Sequence, residues 1–155
     1  MRLPQTVNNI EESIVVEVPV RVAYNQWTQF EQFPRFMQGV RDVQQLDDRH
    51  LHWKAEIAGQ SREWDAEITE QVPDQRIAWR NTDGPMKGGV VTFHRLSDDS
   101  CKVMLQMDYQ PDDAVERLGD TLGIVRRRVR GDLERFQDFI EQRGEATGAY
   151  REEIS

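Results

Sequence analysis

Apolar and polar positions along this chain follow two different periods. In residues 10–18 and again from 40 to 109 they alternate one by one, and beyond residue 114 the apolar ones recur every third or fourth position. The first regime predicts strands and the second an amphipathic helix. Residues 10–18 are rich in β-branched side chains, with Ile14, Val16 and Val18 on one face. Pro19 suits the first turn of a helix, and Val20, Ala23, Trp27 and Phe30 then recur at helical spacing. A second short helix is predicted over 31–37, split from the first near Phe33 and Pro34 and ended by Gly39.

About six more strands follow, at 40–46, 50–57, 62–72, 76–81, 90–96 and 101–109, separated by turns rich in Asp, Gly, Pro and Ser. In the second of these, Leu51, Trp53, Ala55 and Ile57 share one face and His50, His52, Lys54 and Glu56 the other. Such alternation belongs to an antiparallel sheet with one dry and one wet face. The wet face carries Lys54, Glu56, Glu63, Asp65, Glu67, Arg76 and Arg80, which can pair across strands.

From 114 to about 144, Val115, Leu118, Leu122, Val125, Val129, Leu133, Phe136 and Ile140 draw one apolar stripe. A helix of roughly 30 residues spans about 45 Å. Only the dry face of the sheet can cover that stripe. The predicted fold is therefore α+β: a curved antiparallel sheet of about seven strands around a long C-terminal helix, with two short helices after the first strand. Residues 1–144 read as one domain and 145–155 as a tail that is either loose or docked through Tyr150 and Ile154.

Composition narrows the function classes. Of 155 residues, 37% are hydrophobic and 31% charged, with a net charge of −8. Such acidity makes nucleic acid a poor partner. No run approaches the ~18 apolar residues of a membrane span. Met1-Arg2-Leu3-Pro4-Gln5-Thr6 lacks the apolar core of a secretory signal, so a cytoplasmic location is expected. The single cysteine, Cys101, excludes an internal disulfide and a thiolate metal cluster. Nothing calls for a cofactor, and a homo-oligomer is left open.

The order of several segments resembles the START-like (SRPBCC) superfamily, in its polyketide cyclase/dehydrase and coenzyme Q-binding branch. The segments are Ser13-Ile14-Val15-Val16 with Val18-Pro19-Val20, Trp27 through Met37, and Arg62-Glu63-Trp64. They continue with Val72-Pro73-Asp74, Gly89 through Phe93, and Arg127-Arg128-Val129 through Phe136. The resemblance implies a helix-grip fold with a cavity between helix and sheet. It implies several functions, since the superfamily holds lipid carriers, aromatase/cyclases, quinone-binding proteins and ribosome-associated proteins.

Three kinds of function follow. The first is a protein that holds a hydrophobic small molecule, a polyketide, quinone or lipid, in that cavity. Its lining would be Trp27, Phe33, Phe36, Trp53, Trp64, Trp79, Asn81, Phe93, Met107, Tyr109, Leu122 and Val129. The same aromatics could instead fill a solid core. The second is a cyclase/dehydrase acting on such a ligand. No serine, cysteine or metal-based catalytic pattern is present. Aromatase/cyclases of the superfamily use a cavity arginine and tyrosine, whose places here fall at Gln71 and Val40; Tyr109, Asn81 and Arg62 are the remaining polar candidates. The third is a ribosome-associated interaction protein docking through Arg126, Arg127, Arg128 and Arg130. The plainer reading of those arginines is a solvated face with Arg128–Asp132 and Arg130–Glu134 pairs. Gly119 and Gly123 either let the helix pack closely or loosen it as a gate beside the loop 83–88. His50 and His52 share a face but lack a third ligand, so no metal is expected.

Overall fold

The computed structural model describes residues 9–57, 59–82, 86–109 and 118–155, and for residues 57, 109 and 118–122 it describes the backbone alone. Seven strands form one antiparallel sheet: β1 (Asn9–Val16), β2 (Val40–Gln45), β3 (His50–Ile57), β4 (Gln60–Val72), β5 (Arg76–Asn81), β6 (Met86–Ser97) and β7 (Ser100–Tyr109). Their order is β1-β7-β6-β5-β4-β3-β2, so β2 to β7 form a meander and β1 adds to its last strand. Helix α1 (Val20–Trp27) and a 3₁₀ helix (Phe30–Arg35) connect β1 to β2 across the sheet, and α2 (Leu118–Arg143) follows β7. This is the helix-grip fold.

Three boundaries differ notably from the sequence reading, each for a local reason. The first strand ends at Val16 because the chain turns toward Pro19, although Val18 is still buried. The second short helix winds as a 3₁₀ turn over Phe30–Arg35, with Pro34 inside it. Strand β6 begins at Met86, four residues early, because Gly88 and Gly89 pair with β5 and β7 despite carrying no β-forming side chain. The helix is described from Leu118; residues 114–117 lie outside the described part.

The inner face of the sheet is apolar, as period-two patterning requires. Its outer face bears the expected cross-strand charges: Arg80 opposes Glu67 and bonds it at 2.6 Å, and Arg76 bonds Glu70 at 2.9 Å. His52 lies between Asp65 (2.7 Å) and Glu63 (3.0 Å), which hold its imidazole above its usual pKa.

The core is an aromatic cluster under α1 and the second half of α2. Phe136 meets Trp27 at 5.0 Å and Phe36 at 5.1 Å, and Trp27 also meets Phe33 and Phe93. Cys101 is fully buried in this layer, and burial pushes its thiol up to about 11.

The grip on α2 is polar as well as apolar, and it is confined to one part of the helix. Toward β1, Arg130 bonds Glu12, Gln137 donates to the Val15 carbonyl (2.8 Å) and Glu141 accepts from the Glu17 amide (2.8 Å). On the opposite flank, Arg128 donates to the carbonyls of Gln38 (3.0 Å) and Glu56 (3.3 Å). Asp132 accepts from the Gln38 amide, and Arg135 donates to the Phe36 carbonyl. Gly39 makes this fit: its φ is +90°, and a Cβ there would lie 2.0 Å from Arg128 Nη1. The expected Arg128–Asp132 and Arg130–Glu134 pairs therefore give way to bonds from the helix to β1, β3 and Gln38; Arg126, Arg127 and Arg130 of the basic run are exposed, and Arg128 is half-buried. All these ties fall between residues 128 and 141; among the described residues, 123–127 make none.

Candidate ligand-binding face

In β5, β6 and β7 exposure along the inner face rises toward one end, while Ile68 and Ile10, at the two ends of the same row, stay buried. In β7, Cys101 and Val103 are 0% exposed and Leu105 8%, whereas Met107 is half-buried. In β6, Val91 is buried and Gly89 half-buried; in β5, Ile77 is buried and Trp79 half-buried. In β3 and β4, Leu51 and Ala66 are buried while their neighbours Trp53 and Trp64 are not fully covered. The less covered residues lie toward the end of the sheet that the N-terminal half of α2 approaches, since Arg130 bonds Glu12 while Glu141 bonds Glu17; among the described side chains of α2, those of 123–127 make no polar tie to the sheet.

The sheet register explains how these side chains meet. Ile68, Trp79, Gly89, Met107 and Ile10 form one row across five strands. Trp53 opposes Trp64 across the β3–β4 pair, and their indoles stack at 5.6 Å with 10° between planes. Asn81 opposes Ala66 and donates from Nδ2 to the Met86 carbonyl at 3.0 Å. Two buried polar atoms on this face have no partner among the described residues, the Trp53 Nε1–H and the Asn81 Oδ1. One donates and the other accepts. Leaving such atoms unpaired costs about 1–3 kcal/mol each.

The residues singled out by sequence thus separate into two groups. Trp27, Phe33, Phe36, Phe93 and Val129 are buried at 5% exposure or less and pack into the solid core. Trp53, Trp64, Trp79, Asn81 and Met107 stand together on the less covered part. Tyr109 ends β7 and Leu122 lies near the start of α2; their side chains lie outside the described part. Gln71 and Val40 stand elsewhere: Gln71 is buried beneath residues 150–154, and Val40 opposes Ala55 at the β2 edge. Arg62 is exposed and bonded to Gln60, and His94 is exposed.

Sequence reasoning missed two contributors. Gly89 carries the Trp79 indole: a Cβ there would sit 2.9 Å from Trp79 Cζ2. Its signal was the Gly88-Gly89 pair inside a β pattern, which marks close approach. Glu12 faces inward between Ile10 and Ile14 and pairs with Arg130 at 3.1 Å. Its signal was an acidic residue at an apolar register position.

A depression of about 410 Å³ lies over Gly88 and is lined by Arg80, Gln106, Asp108 and Asn9 together with Trp79, Gly89 and Met107. No group of three or more His, Cys, Asp or Glu that could hold a metal occurs among the described residues. No helix there is long and apolar enough to cross a membrane.

Residues 16–138 match the family model described as polyketide cyclase / dehydrase and lipid transport. An uncharacterised 17.2 kDa protein of Streptomyces lincolnensis is 56% identical over 146 residues, covering 94% of this chain and 97% of that one. Among solved structures, a Deinococcus radiodurans protein is 25% identical with a TM-score of 0.67, over 86% of this chain and 97% of its own. The Zhui aromatase/cyclase of Streptomyces sp. R1128 has the same fold at 17% identity, with a TM-score of 0.76 over 93% of this chain and 99% of its own.

Proposed function

Because the chain belongs to the polyketide cyclase / dehydrase and lipid transport family, we propose that it binds a hydrophobic, largely planar small molecule of the polyketide, quinone or lipid kind. The molecule lies between the first turns of α2 and the inner-face residues Trp53, Trp64, Trp79, Asn81 and Met107. The observation that carries this reading is the rise in exposure along the inner face of β5 to β7, toward the end where residues 123–127 of α2, among those described, make no polar tie. Indole faces supply flat apolar area for stacking. The Trp53 N–H suits a ligand carbonyl and the Asn81 oxygen a ligand hydroxyl, as pockets with few placed polar groups do.

Binding is favoured over catalysis by the same residues. An indole N–H and a carboxamide orient a ligand, but neither exchanges a proton near neutral pH, which cyclisation requires. The resemblance read from the sequence puts the places of the aromatase arginine and tyrosine at Gln71, which lies beneath residues 150–154, and at Val40, which carries no titratable proton.

Native mass spectrometry of freshly purified protein, followed by organic extraction, tests the proposal. A stoichiometric copurified hydrophobic molecule is expected. Trp79→Ala should weaken its binding at least ~10-fold while lowering stability less than Phe136→Ala, whose core position costs about 3–5 kcal/mol. Absence of any bound molecule, together with unchanged affinity of Trp79→Ala for hydrophobic probes, would reject it.

A further inference from the structure

Among the described residues three polar side chains are buried, Gln26, Thr28 and Gln71. All three lie beneath residues 145–155. Gln26 donates to Thr147 Oγ1 (3.0 Å) and accepts from the Thr147 amide (2.9 Å). Thr28 Oγ1 accepts from the Tyr150 amide at 3.0 Å. Gln71 and Ile154 exchange backbone hydrogen bonds of 2.8 and 2.9 Å. Arg151 donates to Asn25 Oδ1 (2.6 Å) and Asp74 Oδ2 (2.9 Å) and lies over the Tyr24 ring at 5.5 Å. Ile154, 4% exposed, is the buried apolar residue of the segment.

The sheet explains why a peptide fits here. Strand β3 stops pairing with β4 at the His50–Glu67 position, and Arg49 adds one more bond, to the Ile68 amide. Beyond it β4 has an open edge, which Ile154 occupies as an added strand would. The seat consists mainly of hydrogen-bonding groups, which water satisfies nearly as well when the segment leaves. Asp74 Oδ1, in the same seat, is buried without a partner among the described residues. Gly144, at φ +73°, ends α2 and turns the chain toward the seat.

We propose that this seat is a docking site for an extended peptide carrying arginine three residues ahead of an aliphatic side chain. Residues 147–154 are its resident, detachable occupant. The segment opens as a unit of its own, without the helix and sheet behind it.

The test uses the full-length chain with Ile154→Asp, titrated with a synthetic peptide of residues 145–155 while amide exchange is followed. Exchange at Gln71 should be at least ~10-fold faster than in the native chain, unchanged at Leu133 and Phe136, and slowed again by the peptide. A peptide with Arg151→Ala should bind about 10-fold more weakly. Full-length Arg151→Ala, which leaves Ile154 in place, should show the same selective loss to a smaller degree. Parallel loss of protection at Leu133 and Phe136 in the variants, failure of both to fold, or a folded Ile154→Asp chain whose Gln71 ignores the peptide would overturn the proposal.

Discussion

The Trp79 indole lies directly over Gly89 on the neighbouring strand, and only a missing side chain makes room for it. A Cβ at Gly89 would meet Trp79 Cζ2 at 2.9 Å and the Gln106 carbonyl oxygen at 2.5 Å. The glycine therefore sets where one wall of the binding face stands. Gly89→Ala should cost about 1–3 kcal/mol through overpacking. It should also shift tryptophan emission and abolish binding of hydrophobic probes. Gly88→Ala is the control, since its Cβ would crowd the Trp79 carbonyl rather than the ring. It should lower stability in urea denaturation without moving the emission. Equal spectral changes in both variants would contradict the assignment.

Asp132 makes the protein less stable as pH rises from about 4 to 7. Burial pushes its carboxyl up from 3.8 to about 6, opposed by bonds from Arg135 and the Gln38 amide and by the charges of Arg135 and Arg128. The folded chain thus holds this proton more tightly than the unfolded one. The stabilisation is complete below the unfolded value and lost as pH climbs through the folded value. Asp132→Asn keeps an acceptor for Gln38 and removes the titration. It should flatten the slope by roughly 1–3 kcal/mol between pH 4 and 7.5. His52, also raised, contributes in the same direction from the outer face, and His52→Gln isolates its share. Denaturation midpoints measured across that range decide the matter; an unchanged slope in Asp132→Asn would count against this account.

Among the described residues, a Cβ at Gly123 would find only Arg127 Nη1, at 3.7 Å, which is ordinary contact. Gly123→Ala should raise stability by about 1 kcal/mol, the ordinary helix preference. It should also increase amide protection over 123–127 relative to 130–138 and slow release of any bound ligand. Hydrogen exchange with stopped-flow release measures both. Destabilisation, or protection in 123–127 already equal to that in 130–138 in the native chain, would show that this glycine does not loosen the helix.

The strands and the long helix were legible because each obeys a period that only one structure satisfies. Leu51, Trp53 and Ala55 face inward where alternation puts them, and Val125, Val129, Leu133 and Phe136 face the sheet. The start of β6 was not legible, because glycines carry no side-chain period and their pairing is decided by the strands on either side. The division of the aromatics was hidden as well. Trp27 and Trp79 look alike in a pattern, and only the placement of α1 and the 3₁₀ helix over one part of the sheet decides which is sealed. The partners of Arg128 and Arg130 were misread for a related reason. Spacing along a helix reports neighbours on that helix, whereas their partners, Gln38, Glu56 and Glu12, come from remote segments.

Among the described side chains of α2 the polar ties fall at 128–141 and 123–127 make none, so from residue 123 onward the helix is a beam clamped at one end. Displacing its unclamped portion would leave the aromatic layer around Phe136 untouched. Cohesion and receptivity are in this way assigned to different lengths of a single rod. Substitutions among the tryptophans near its unclamped portion can then re-tailor what the protein accepts while drawing little on what keeps it folded.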